Sequence, residues 1–498
     1  MTAGTARTWA ERYGSLAVLG LGIGLLTLWV AASYLERAPS TLMVFPPADN
    51  WCQIGTESFG VHCFGDFAIV DELFAHDAWN SGWGSVASYP ALAWLPSLLI
   101  RRLGESLGGG QLPTAMFLVV AGSCLLVPAV WAAWGNLRSR LPVTVVLVGA
   151  STSAFLVTMD RANTVALTVP ALLLFAVAVS RRKFGWVGVA VTVAALLKPQ
   201  LALLAVVLLA HRQYRAFVLT AVSTAGFTVL GFLAFPRYFP ENLFGWVRAI
   251  SGYSDIQSID VGYPVSLGVS RGVLTVIDLT GLGALLGDDR AALVNALGSA
   301  AGLLNLVVIG LLAAVILLTA RRVNPLWTVF LAFGVVLYSS STVYVYYLSM
   351  LLAVAALVLR DARASGPPTG RTWAGTLDDG PATTASRMTR VATGALVVAT
   401  VLVLAPVVVP TAVLPDGLVD AWSVGGVPSL YQLVSGPVLL AAMALVALGA
   451  LHAWRSSRAG DERQVQVGPA ARADGDEVEA DPSTGTVTPT QPTAEPAR

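Results

Sequence analysis

Several ionisable and aromatic residues stand out because they interrupt long apolar stretches. Asp66 sits in HCFGDFAIVDELFAHDAW, where a polar loop turns into an amphipathic helix. Asp66, Asp71 and Asp77 do not share one helical face, so they read as separate groups. A lone loop aspartate is commonly solvated or a helix cap; beside a membrane it is also a candidate general base. Asp160 and Arg161, followed by Asn163, lie between two apolar runs with almost no linker. They read either as an ion pair closing a helical hairpin or as a polar site beneath the first loop. Lys198 interrupts the mostly apolar stretch 184–210, and Pro199 beside it breaks a helix. Placing a lysine near mid-membrane costs about 2.5–3.5 kcal/mol on insertion scales. Snorkelling lowers that cost, and a lipid phosphate would offset it better. Tyr344, Tyr346 and Tyr347 follow the run Ser339–Thr342. Tyrosines at such a position belong to the interfacial belt or to a sugar or lipid site.

Other chemistries lack their residues. No Cys/His set has zinc spacing, and His62, His76, His211 and His452 form no ligand pattern. No Walker loop occurs, which argues against ATP-driven transport. A single loop carboxylate is a poor cage for a divalent cation, so the sequence makes no cofactor certain. The net charge of +1 leaves no nucleic-acid footprint. Cys124 reads as a core residue; Cys52 and Cys63 share one polar loop, either as a disulfide in an oxidising compartment or as two thiols.

The elements that must hold these residues are membrane helices. Of 498 residues, 55% are apolar and 12% are charged, against about 25% charged in soluble domains. The mean hydropathy is +0.71. The apolar runs are continuous rather than alternating, which favours helices over a barrel. A run from Leu16 to Tyr34 reads as a retained anchor, followed by a polar loop at 35–88. The piece 89–100 is only about 18 Å long as a helix and reads as re-entrant or interfacial. Spans follow at 112–134, 142–159 and 162–180. Short pieces at 184–197 and 201–210 come next, then a span at 216–235. A polar loop at 236–263 and a Gly-interrupted stretch at 264–288 precede spans at 292–320, 326–341, 343–359, 392–413 and 436–453. Placing the N-terminus in the cytoplasm, with 89–100 and 264–288 uncrossed, puts Arg138, Arg140, Arg181–Lys183, Arg212, Arg215, Arg321 and Arg322 inside. That layout predicts an all-α polytopic membrane protein with about 12 transmembrane helices. Asp66, Asp160, Arg161 and Lys198 then share the outer side. The 361–391 segment and the tail at 454–498 read as flexible and cytoplasmic.

Taken together, GDF at 65–67, SYPALAWLP at 88–96, MDRANTVAL at 159–167 and LLKPQLALL at 196–204 resemble glycosyltransferase family 87, with SSSTVYVYYLSML at 339–351 a looser match. The resemblance covers about residues 15–360, with 392–453 as C-terminal membrane helices. The family is of the GT-C type and includes polyprenyl-phosphate-mannose-dependent mannosyltransferases of actinobacteria. Here Ala162 stands where relatives often carry glycine, and Tyr346-Tyr347 where a His-Tyr pair is common. The resemblance implies transfer of a sugar from a polyprenyl phosphate to a glycolipid or glycan acceptor on the outer face of the plasma membrane, with inversion. Membrane lipids surround such an enzyme, and a divalent cation is an optional auxiliary. Asp66 matches the family's first-loop aspartate, the expected base. Lys198 and Arg161 become candidates for the donor phosphate. Asp160, Asn163, Tyr89, Tyr346 and Tyr347 become candidates for substrate contacts. Two rivals remain from other classes. A transporter or flippase predicts ionisable groups across the midplane and internal repeats. A non-catalytic envelope subunit predicts no product in a radiolabelled donor assay.

Overall fold

A computed structural model describes residues 64–70, 89–133, 149–150, 152–234, 238–252, 266–282, 285, 289–339, 343–361, 387–404 and 430–467. The run 16–34, the parts 35–63 and 71–88 of the first loop with Cys52, Cys63, Asp71 and Asp77, the segment 134–148 with Arg138 and Arg140, and residues 362–386 lie outside the described residues. Residues 1–453 form one compact unit and 454–498 a second.

The described residues are helical, with one isolated antiparallel bridge between Ser266 and Tyr344. A short helix α1 spans Gly65–Ala68 and is followed by α2 at Ala91–Leu107, α3 at Leu112–Ala133 and α4 at Ser153–Arg161. Next come α5 at Val165–Ser180, α6 at Phe184–Leu197, a 3-10 turn at Pro199–Ala205 and α7 at Val206–Ala210. They lead to α8 at Tyr214–Leu233, α9 at Glu241–Gly252, α10 at Val269–Leu279 and α11 at Asp289–Thr319. The chain ends with α12 at Pro325–Tyr338, a 3-10 turn at Val345–Leu351, α13 at Leu352–Asp361, α14 at Arg387–Leu404 and α15 at Leu430–Val467. Five of these, α3, α8, α11, α14 and α15, contain stretches long and apolar enough to cross a membrane. Shorter apolar helices pack among them, α5, α6 and α12 included. The protein is thus an all-α polytopic membrane protein, as the composition predicts.

The core consists of short helices wrapped by long ones. Helix α12 is buried along its whole length, whereas α8 exposes Val218, Leu219, Val222 and Leu230, the pattern of a helix facing hydrocarbon. Small residues let backbones approach, as in other membrane bundles. At Gly188 of α6, a Cβ would sit 2.6 Å from Thr220 Oγ1 of α8.

Three departures from the sequence expectation have local causes. The apolar pieces at 201–210 and 343–359 both begin as 3-10 turns. At the first, Pro199 offers no N–H and drives Lys198 into extended backbone at φ −141°, ψ 109°. The loop 236–263 contains the amphipathic helix α9. Helix α2 is longer than the 89–100 piece and runs to Leu107. Leu92 near its start lies against Gly231 in the last turn of α8, and Gly104 near its end lies against Pro113 in the first turn of α3. Trp94 of α2 clusters with Phe232 and with Ile69 and Val70 just beyond α1. Phe67 of α1 in turn stacks on Phe117 of α3 at 4.6 Å. Both ends of α2 therefore belong to one rim of the bundle, the rim that carries Asp66.

Candidate active site

Local sequence chemistry delivers two polar clusters to that rim. The first begins with α4, which starts at Thr152. The Thr152 hydroxyl accepts the Phe155 N–H at 3.1 Å, a standard N-cap. The helix stops at Ala162, which adopts the left-handed conformation at φ 51°, ψ 41°. That reversal leaves Arg161 and Asn163 facing α1. Arg161 Nε donates to Asp66 Oδ1 at 2.9 Å, and Asn163 Nδ2 donates to Asp66 Oδ2. Asn163 is oriented by its other end, because its Oδ1 accepts the Val165 N–H at 2.8 Å at the start of α5. Only the amide nitrogen is then left to face the carboxylate. The side chains of Arg161 and Asp66 are 7% and 15% exposed. Each carboxylate oxygen receives one donor and keeps further lone-pair capacity for an incoming hydroxyl.

The second cluster centres on Lys198, whose side chain is fully buried. Its extended backbone ends α6, and its N–H returns to Ala194 O at 2.9 Å. Lys198 Nζ donates to the hydroxyl of Tyr89 and to that of Tyr347 at 3.2 Å. It lies 4.7 Å from the ring centroids of both tyrosines and 5.4 Å from that of Tyr346. Among the described residues no carboxylate forms an ion pair with Lys198. An ammonium carries three N–H donors, and two are committed to the tyrosines. A buried cation held only by neutral phenols is costly, and an anion bound beside it would remove that cost.

Tyr346 joins the clusters. Its backbone carbonyl accepts from Thr158 Oγ1 of α4 at 3.3 Å, and its ring lies 4.8 Å from that of Tyr347. The Tyr346 phenol is in electrostatic reach of Asp66, Tyr89 and Tyr347. The turn that carries it is anchored by the Leu267 N–H bonding to Val343 O. The structure thus brings together Asp66, Arg161, Asn163, Lys198, Tyr89, Tyr346 and Tyr347 from remote parts of the sequence. Asp160 is also buried, about 100° round α4 from Arg161. Tyr344 stacks on Tyr346 at 5.3 Å.

Sequence reasoning passed over two residues. Gln200 Nε2 donates to Tyr347 Oη at 2.8 Å; the available signal was a polar side chain two places after Lys198 in an apolar run. Arg271 of α10 is 3% exposed and lay hidden in a Gly-interrupted stretch. Divalent-cation binding finds little support from these side chains. Asp66 already receives Arg161 and Asn163, and among the described residues no three His, Cys, Asp or Glu side chains gather as a metal site.

The sequence model of glycosyltransferase family 87 matches residues 87–342. That range includes Tyr89, Arg161, Asn163 and Lys198, while Asp66, Tyr346 and Tyr347 lie outside it. No curated protein and no solved structure matches the chain. More than half of the sequence is covered by the one family match, and the chain is a membrane glycosyltransferase that belongs to glycosyltransferase family 87.

Proposed function

We propose that this glycosyltransferase moves a sugar, mannose by its resemblance, from a polyprenyl phosphate to a lipid-linked or glycan acceptor on the outer face of the plasma membrane, with inversion. The observation that carries the reading is the buried Lys198, held by phenols and with no carboxylate partner among the described residues, in one site with the Asp66–Arg161 pair. A cation there has use for an anionic ligand. A phosphate on a lipid reaches a membrane rim, where a nucleotide sugar from the cytosol does not.

The proposed reaction is a single displacement. Asp66 accepts the acceptor's hydroxyl proton as the oxygen attacks the anomeric carbon. The bond from that carbon to the phosphate oxygen breaks, and the electron pair leaves with the polyprenyl phosphate. The sugar passes through an oxocarbenium-like state. Arg161 and Asn163 fix the carboxylate, so the base is oriented before substrate arrives. Lys198 meets the negative charge that grows on the leaving phosphate, and in a dry site such preorganised charge is effective. Arg161, which donates to Asp66 through Nε, is the second candidate to meet the phosphate.

The test is transfer from a radiolabelled polyprenyl-phosphate mannose in membranes carrying the variant Asp66→Asn. A positioned base contributes about 10²–10⁴-fold, so transfer should fall by at least about a hundredfold at unchanged expression. Transfer within a few-fold of the native level would remove Asp66 from the role of base. Solute or lipid counterflow in liposomes without a covalent product would favour a transporter instead.

A further inference from the structure

The proposed reaction leaves Gln200 unused, although it reaches into the same site. Its Nε2 donates to Tyr347 Oη at 2.8 Å, and Lys198 Nζ donates to the same oxygen at 3.2 Å. Residues two apart on a continuous helix do not face one another. Here the extended Lys198 and the following 3-10 turn, closed by the Leu201 N–H to Lys198 O at 2.9 Å, bring both side chains onto one phenol. An ammonium only donates, so Tyr347 must act as acceptor toward Lys198. With Gln200 donating as well, two hydrogen bonds enter the phenol oxygen, and its own O–H is confined to the remaining direction. Donors on an oxygen also polarise its O–H and strengthen the bond that this O–H gives.

We infer that Gln200 is a positioning residue for the anionic phosphate of the donor: it sets the Tyr347 hydroxyl as a hydrogen-bond donor to that phosphate, alongside Lys198. The inference rests on the reading that Lys198 grips the donor phosphate. The chemistry of Gln200 matters more than its size. A glutamate in its place would accept a hydrogen bond from the phenol's O–H and pair with Lys198, so the cradle would satisfy itself and exclude the ligand.

Binding of a short-chain polyprenyl monophosphate to the purified full-length protein in nanodiscs reads this directly, without acceptor or sugar. Gln200→Leu should weaken binding about five- to tenfold, the effect of about one hydrogen bond. Gln200→Glu should weaken it further, although it is nearly isosteric, and it supplies the test should Gln200→Leu not fold. Tyr347→Phe should weaken binding too, and adding Gln200→Leu to it should cause no further loss, because Gln200 acts through the phenol. Native affinity in both Gln200 variants overturns the inference. So do losses that multiply in the double variant, which is what general structural damage produces. Lys198→Met separates the two levels. If it binds polyprenyl monophosphate normally, the phosphate site itself is wrong; if it binds weakly while the Gln200 variants bind normally, only the role of Gln200 falls.

Discussion

Lys198→Met deletes an ammonium and keeps an unbranched apolar stem of similar reach. In the proposed reaction the lost group is a charged donor to the leaving phosphate, and hydrogen bonds to charged groups are worth about 1.5–3 kcal/mol. At about 1.36 kcal/mol per factor of ten, kcat/KM for the donor should fall about 10- to 150-fold. KM for the acceptor should not move. Stability should respond differently. Lys198 is fully buried and bonded to Tyr89 and Tyr347. Placing a lysine at membrane depth costs about 2.5–3.5 kcal/mol, and its two bonds return a similar sum at about 1.5–3 kcal/mol each. Replacing the ammonium with a thioether therefore leaves the fold nearly as stable as before. The assay pairs donor-dependent kinetics with thermal unfolding in the same nanodiscs. Kinetics within about twofold of native, or a rate loss that only tracks loss of folded protein, would refute the reasoning, because Lys198 would then be a structural lysine.

Other variants probe the surrounding parts. Asn163→Asp retains the oxygen that caps α5 at 2.8 Å but turns a second carboxylate toward Asp66. Transfer should fall at least about tenfold with the helix intact, and a native rate would show that the Asn163 donor is dispensable. Ala162→Gly should preserve activity and raise thermal stability slightly. The left-handed conformation at φ 51° costs a non-glycine residue about 1–2 kcal/mol, of which the glycine's extra unfolded-state entropy takes back about 0.4–1 kcal/mol. A lower melting temperature would contradict that account. His211, in the turn between α7 and α8, is held near pKa 4, below its usual 6.5, by burial and by Arg182 and Arg321. Folding thus favours the neutral ring, and its contribution is complete above about pH 6.5 and lost as pH falls toward 4. His211→Gln should flatten the acid side of a stability–pH curve, and an unchanged slope would count against the shift.

The sequence made the class of fold legible because hydropathy over long windows reports burial in lipid directly. Arg161 and Lys198 were conspicuous as charges at or inside apolar runs, whereas Asp66, in a polar loop, was singled out through the first-loop motif of the family resemblance. What the sequence missed were features set by local geometry. Lys198 and Gln200 share a phenol only because Pro199 forces extended backbone followed by a 3-10 turn, and no apolar periodicity encodes that. From position alone Tyr346 and Tyr347 read first as belt residues. Their role in the site depends on a turn anchored by residues 266–267, some eighty positions away in a stretch whose pattern was ambiguous. Asn163 could be placed near Arg161, but its orientation depends on the Val165 N–H, a contact visible only in three dimensions.

Costly features gather where the proposed chemistry would occur. Phe64, immediately before α1, is left-handed at φ 47°, and Ala162, immediately after α4, is left-handed at φ 51°. A bulky side chain at positive φ is a genuine outlier. These two residues flank the segments that present Asp66 and Arg161 to each other. Beside them stands a buried lysine with neutral partners. A bundle selected for stability alone would have no use for a left-handed alanine at 162 or for a charge at 198, whose burial cost the hydrogen bonds to Tyr89 and Tyr347 only offset. Strain and buried charge concentrated at one rim fit an arrangement kept for what it binds. The same logic separates this protein from a carrier, whose ionisable groups should be spread along a path through the midplane. Here the Asp66 and Lys198 clusters occupy one end of the bundle, joined through Tyr346, which suits a reaction at a surface rather than passage across it.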